Sequence, residues 1–184
     1  MRDENEINPV LDFWFKECTP EQWFMKDEAF DAALKTRFGK LVEKARAGQL
    51  DAWTETREGT LALILLLDQM TRYIYRDTPN AFSGDEMALA ICLKAVERGD
   101  LDEFEDVPER QFLLMPMMHA EDLDIQNKSL PLFKKYTSER TYEYAVKHQV
   151  IIERFGHFPH RNAILGRPLT EEQIEFLKGP DSSF

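Results

Sequence analysis

"GTLALILLLDQMTRYIYR", residues Gly59 to Arg76, is the stretch that decides the fold. Leu61 to Leu67 are seven consecutive apolar residues, and polar side chains resume only at Asp68. A helix built on this run has no solvated face through its first two turns, so other helices must surround it. Seven residues are far short of the roughly 20 that span a bilayer. The expectation is a central core helix in an all-α protein. Asp68 and Arg72 follow on the stripe of Leu61, Ile64 and Leu65, and Arg76 continues the line. Four-residue spacing with the acid first makes Asp68 and Arg72 a candidate ion pair. One reading has that pair close an end of the core, because a partly buried arginine needs a partner. The other has Arg72 or Arg76 point into a cleft and bind an anion.

Outward from this helix the apolar period stays helical, and no stretch alternates with period two for long. Helices are expected over roughly 9–17, 20–25, 27–47, 59–76, 83–98, 108–115, 116–135, 139–154 and 170–178. Thr19 with Gln22, Ser83 with Glu86, and Thr170 with Gln173 have the spacing of capping boxes. Asn8 is a candidate cap for the first helix, Pro108 a helix start, and Gly99 and Gly179 are candidate stops. Connections are short, which favours antiparallel helical hairpins. No linker or low-complexity segment divides the chain, and no repeat near 34 residues is found by identity. One all-helical domain over 1–184 is expected, long enough to bury about 70% of its unfolded surface.

The chain carries 23 Lys+Arg against 34 Asp+Glu, a net charge of −11. Such an acid surplus argues against nucleic acid or an anionic membrane as partner, since both require a broad basic face. "MRDENEINPV" lacks the apolar core of a secretory signal. Cys18 and Cys92 have no metal-type spacing and read as reduced thiols, so a cytoplasmic protein is expected. No cofactor or metal motif is present, and none is expected.

Against this acidic background one stretch stands out. "FGHFPHRNAILGR", Phe155 to Arg167, holds His157, His160, Arg161 and Arg167; with Arg154 it has three arginines and no acid. Gly156 ends the preceding helix, and Pro159 and Pro168 prevent its early resumption. Either Arg161 and Asn162 cap neighbouring helix ends, or the loop is an anion site. In the second case Arg161 offers a planar fork, His160 a pH-dependent donor, and Asn162 caps a short helix whose amide end attracts anions. His119 lies in line with Phe112, Met115 and Pro116, and His148 with Tyr144 and Ile152. Two histidines facing inward from helices joined by a short connection can meet. They are core histidines, or part of a cleft with Arg72, or metal ligands with Glu121 or Asp122. No HExxH-like spacing supports the last. The aromatic cluster "DFWFKECTPEQWF" (Phe13, Trp14, Phe15, Trp23 and Phe24) reads as core packing rather than as a ligand-stacking surface.

"DFWF", "LLLDQMTRYIYRDTPNAFSGD", "LLMPMMHAED" and "FGHFPHRNAILGR", in this order, closely resemble the family named domain of unknown function 924. The resemblance runs from about Val10 to Leu177. It implies an all-helical fold similar to the right-handed superhelix of tetratricopeptide repeats, and no established activity. The family's recurring polar positions fall on Asp68, Gln69, Arg72, Arg76, His119, Glu121, His148, His160, Arg161 and Asn162. The chain departs from the pattern at Tyr73 and at His157, where the family often has arginine, which lowers the loop's charge.

The leading functional expectation is a polar cleft lined by Arg72, Arg76, His119, His148, His160, Arg161 and Asn162. It would take a small anionic molecule or an acidic peptide end. A competing reading is a hydrolase-type enzyme with His119 or His148 as general base, oriented by Glu121, and Arg161 holding an anionic substrate. A third is a protein–protein interaction scaffold whose polar residues are structural. No serine or cysteine carries a nucleophile motif, which favours binding.

Overall fold

Residues 4–184 are described by the computed structural model, and every regular element among them is helical. The main helices are α1 (Glu4–Asp12), α2 (Glu28–Arg46), α3 (Arg57–Ile64), α4 (Thr71–Ile74), α5 (Asp85–Arg98), α6 (Asp100–Glu103), α7 (Val107–Met118), α8 (Leu123–Tyr136), α9 (Glu139–Phe155), α10 (Asn162–Leu165) and α11 (Glu171–Leu177). The apolar stretch is central, as its pattern requires. Gly59 to Thr71 are buried without interruption, and α1, α2, α5 and α7 pack around them. Within this rod α3 passes into a π-helical turn, Leu65–Met70, before α4 resumes the α-helix. A π turn inserts extra backbone into a helix and re-aims the side chains that follow. Here all six residues of the turn, including Asp68 and Gln69, are buried.

Several boundaries follow the local chemistry. Asp27 caps α2 by accepting from the Ala29 and Phe30 amides, and Thr170 with Gln173 forms a complete capping box on α11. Gly99 and Gly156 end α5 and α9 in the left-handed conformation, where a side chain would be strained.

Others differ from expectation, each for a tertiary reason. The segment 20–25 is a turn, not a helix; Trp23 is pulled into the core and its indole donates to the Trp14 carbonyl at 2.9 Å. Asn8 and Pro9 lie inside α1 rather than starting it. Ser83 does not cap α5: its hydroxyl donates to the Asn80 carbonyl at 2.6 Å, and Gly84 is the cap residue. A Cβ at Gly84 would sit 2.2 Å from the Leu67 carbonyl oxygen, so only glycine lets this turn lie on the central helix. Pro116 does not open a helix. α7 runs through it to Met118, and α8 starts after Asp122, whose carboxylate accepts from the Ile125 amide. Pro116 costs one backbone bond in a segment whose residues from Phe112 to Met118 are all buried.

One continuous cluster of buried apolar side chains runs from Ile7 to Ala145, and Ile151, Ile152 and Phe158 form a smaller one. The aromatic cluster packs as expected, with Trp14, Phe15 and Trp23 edge-on to Phe112 at centroid distances of 5.4, 5.9 and 5.1 Å. Phe24 is the exception, lying over Phe112 but 63% exposed. Cys18 and Cys92 are free, buried thiols.

Candidate functional site

The π turn delivers Asp68 into the protein with no exposed surface. One carboxylate oxygen meets His119 Nδ1 at 2.8 Å and the other accepts from Gln69 Nε2 at 2.7 Å. One turn on, Arg72 Nη1 donates to the Asp68 carbonyl at 2.5 Å and lies 3.6 Å from its carboxylate. The tighter partner of Arg72 is Asp85, held in a two-pronged pair at 2.7 and 2.9 Å. Asp85 reaches it because Gly84 lets the start of α5 press against Leu67. The expected Asp68–Arg72 pair is therefore one edge of a network in which Asp68 chiefly serves His119 and Asp85 chiefly serves Arg72.

His119 is the cap residue at the end of α7, and His148 sits on α9. The two helices are not successive, as expected from the sequence, but α7 and α9 pack together with α8 between them in the chain. The imidazoles lie with centroids 6.3 Å apart and planes inclined at 49°. His148 Nδ1 bonds the Tyr144 carbonyl at 2.7 Å. Since a carboxylate and a carbonyl only accept, both rings carry their proton on Nδ1 and leave Nε2 as a free base. Neither Nε2 bonds another described residue.

The loop 155–167 folds onto this cluster. Phe158 is fully buried, and its amide donates to Glu121 at 2.8 Å. Arg161 Nη2 donates to the His119 carbonyl at 3.1 Å and Nη1 reaches Asp85 at 3.4 Å. Its guanidinium lies over Phe82 and Phe158 at 4.6 and 4.7 Å. Arg161 Nε and the adjacent His160 Nδ1 are buried without any partner. So Arg161 caps the end of α7, as one reading of the loop required, and two nitrogens of the loop are left without partners near Arg72 and the histidines.

Three expected site residues sit elsewhere. Arg76 is past the end of α4 and forms a two-pronged pair with Asp31 of α2 at 2.6 and 2.8 Å. Asn162 is fully buried and caps nothing; it bonds Pro168 O, Gln173 and Arg167. Glu121 does not orient a histidine. It holds Arg167 at 2.7 and 2.9 Å, and the acid that orients His119 is Asp68. His157 bonds Asn162 and Gln173, away from the cluster. Asp85 was missed because its role depends on a glycine contact across the fold. Its only sequence signal was an acid directly after Ser83–Gly84.

The electrostatics follow from burial. Burial pushes His148 down to about 3 and His160 to about 4, helped by His119 and Arg161 respectively. Burial also lowers His119, and the Arg72 charge adds to it. Arg161 is brought down to about 10 by burial and by Arg72. Burial opposes ionisation of Asp68, but His119 and Arg72 and the bonds from His119 and Gln69 hold it below the ordinary carboxylate range. Near neutral pH the cluster therefore holds two arginines, two aspartates and three uncharged imidazoles. Among the described residues no three His, Cys, Asp or Glu side chains are placed to hold a metal ion. Two surface hollows lie elsewhere: one of about 80 Å³ lined by Thr54, Thr60 and Arg98, and one of about 400 Å³ beside Lys35, Lys40 and Tyr75.

Arg72→Ala is expected to lose about 3–5 kcal/mol, because it takes the main partner from the part-buried Asp85 carboxylate and a neighbouring positive charge from the fully buried Asp68. Arg57→Ala, whose pairs with Glu58 and Glu103 are exposed, is expected to stay within about 0.5 kcal/mol. Urea denaturation of both variants checks the difference, and equal midpoints would mean that Arg72 is not a buried partner.

A family model described as a bacterial protein of unknown function, DUF924, matches residues 10–181. The chain is also similar to the solved structure of a protein of unknown function from Agrobacterium tumefaciens. That likeness has 36% identity and a TM-score of 0.90, over 96% of this chain and 99% of the other. No curated protein matches. Among the described residues no helix is long and apolar enough to cross a membrane.

Proposed function

The chain belongs to the DUF924 family, and we propose that it is a receptor for a small anionic molecule, bound through Arg161 and His160 beside Arg72, His119 and His148. One observation carries the reading. Of the six buried side-chain nitrogens and oxygens without a partner among the described residues, two, Arg161 Nε and His160 Nδ1, come from adjacent residues within this cluster. An unsatisfied buried polar group costs about 1–3 kcal/mol, and native proteins retain few of them. A carboxylate accepts from such a pair and returns that cost. The depressed Arg161 and His160 point the same way, since both charged forms are short of compensation. The protein atoms of the cluster already balance in charge, so an added carboxylate favours protonation of an imidazole, and binding should tighten at mildly acid pH. The scaffold under this reading is a set of antiparallel hairpins of tetratricopeptide type. It is supported by α7, α8 and α9 packing in sequence order across links of four and two residues.

Acetate, with chloride as a control at matched ionic strength, tests the reading by thermal shift. Saturation at 100 times the dissociation constant adds about 2.7 kcal/mol of stability. Arg161→Lys keeps the charge but removes Nε and the fork. Some loss of stability without ligand is expected, because the bond to the His119 carbonyl is lost with it. The acetate shift should disappear. A shift that survives in the lysine variant would leave Arg161 as a helix cap and overturn the anion reading.

The Asp68–His119 pair favours a second reading, a hydrolase in which His119 Nε2 is the general base. Its Nδ1 proton is fixed by a buried carboxylate, the arrangement that orients a catalytic imidazole. Neither His119 nor His148 hydrogen-bonds a serine, threonine or cysteine, so water would be the nucleophile. Consumption of an added acetate ester, lost in His119→Gln, would favour this reading over simple binding.

A further inference from the structure

The residue lying over His148 is Phe184. Its ring stacks on the imidazole with centroids 4.0 Å apart and planes 25° apart, and Tyr144 meets it edge-on at 6.1 Å. Phe184 is nevertheless 45% exposed, so the contact is one-sided. The segment behind it is anchored at Ser182, which is buried, two residues before the ring. Ser182 donates to the Leu177 and Gly179 carbonyls, and Asp181, in the left-handed region at φ 55, pairs with Lys147 at 2.9 Å. That pair is half exposed, 40% and 51%, and exposed ion pairs contribute little. His148 and Tyr144 thus form an aromatic shelf whose occupant is a half-exposed phenyl ring, two residues beyond the anchor at Ser182.

Phe158 links this shelf to the unsatisfied nitrogens. Phe158 touches the His148 ring at 5.5 Å and the His160 ring at 5.7 Å, and Arg161 lies over its face at 4.7 Å. One buried ring is therefore the common wall of the shelf and the donors. We infer that Phe184 occupies the place of the ligand's aromatic ring, and that the site takes an arylalkyl carboxylate which displaces residues 179–184. The ring would lie on His148 and the carboxylate on Arg161 Nε and His160 Nδ1. This rests on the reading of the cluster as an anion receptor and adds the ligand's second half. A tethered ring competes with a free one at high effective concentration, so the segment also sets the threshold for binding.

The experiment measures binding of phenylacetate, cyclohexylacetate and acetate to the full chain and to Phe184→Ala by calorimetry. In the unsubstituted protein phenylacetate should bind more tightly than cyclohexylacetate, because a saturated ring lacks the quadrupole that stacks on an imidazole. If Phe184 covers the shelf about nine-tenths of the time, its removal should tighten phenylacetate about ten-fold. Acetate, which does not reach the shelf, should change by less than about two-fold. Phe184 is nearly half exposed and lies outside the buried core, so its loss should not unfold the chain. Phenylacetate binding no more tightly than acetate, or failing to gain in Phe184→Ala, would overturn the inference. If acetate still bound in an Arg161-dependent way, the anion reading would survive that failure. Absence of binding by all three acids would remove both.

Discussion

Asp68→Ala is expected to be the most damaging truncation at this site, destabilising the protein by about 3–5 kcal/mol or more. The carboxylate has no exposed surface and satisfies His119 Nδ1 and Gln69 Nε2. It also balances the neighbouring Arg72 charge. Removing it strands a largely buried imidazole N–H, a buried amide and part of a largely buried positive charge, to which water has little access. It leaves a cavity as well. Asp68→Asn keeps the volume and one acceptor oxygen, so it should fall between alanine and the native protein. Its amide turns an NH2 donor toward neighbours that are themselves donors, His119 Nδ1, Gln69 Nε2 and Arg72, where the carboxylate accepted on both oxygens. Urea denaturation near pH 7.5 measures all three proteins. An alanine variant within about 1 kcal/mol of the native protein would show that Asp68 is hydrated and that the network around it is not structural.

The second large effect is expected in acid. His148 and His160 are held down to about 3 and about 4, against an ordinary value of 6.5. Below pH 6.5 the unfolded chain binds protons on these rings while the folded chain does not. Stability must then rise with pH through this window and fall as pH drops. Each group contributes a slope of up to about 1.4 kcal/mol per pH unit. The loss begins near pH 6.5 and continues until the folded rings protonate, near pH 4 for His160 and pH 3 for His148. Asp68, held below its ordinary 3.8, adds to the same trend below that pH. Stability measured from pH 7.5 to 4.5 should therefore fall steeply, and His148→Phe should flatten the slope by up to one group's share. Identical slopes for the two proteins would mean that His148 takes up a proton in the folded state as readily as in the unfolded one, despite its burial.

The chain's own pattern determined the helical class and most of the helices. Leu61 to Leu67 leave a helix no wet face, so that helix must be central, and it is. Gly99, Gly156 and the Thr170–Gln173 box act within one turn of the backbone, and for that reason they read correctly from the chain alone. The same holds for the inward stripe of His148, which places its imidazole on a buried face of α9, whereas His119 falls just past the end of α7. Boundaries decided by distant contacts read less well. Trp23 gives up a helix for a bond to Trp14, and Ser83 gives up a cap because Gly84 must touch Leu67.

What only the tertiary structure decided is which charge meets which. Spacing paired Asp68 with Arg72, but a π turn and a glycine contact hand Asp68 to His119 and Arg72 to Asp85. The line through Arg72 also failed at Arg76, because the helix ends at Ile74 and Asp31 takes the guanidinium. Glu121, next but one to His119, faces Arg167 instead. Helical periodicity states which side of a helix is buried. It carries no information about the partner across the interface, and in a buried network the partner determines a carboxylate's or an imidazole's chemistry.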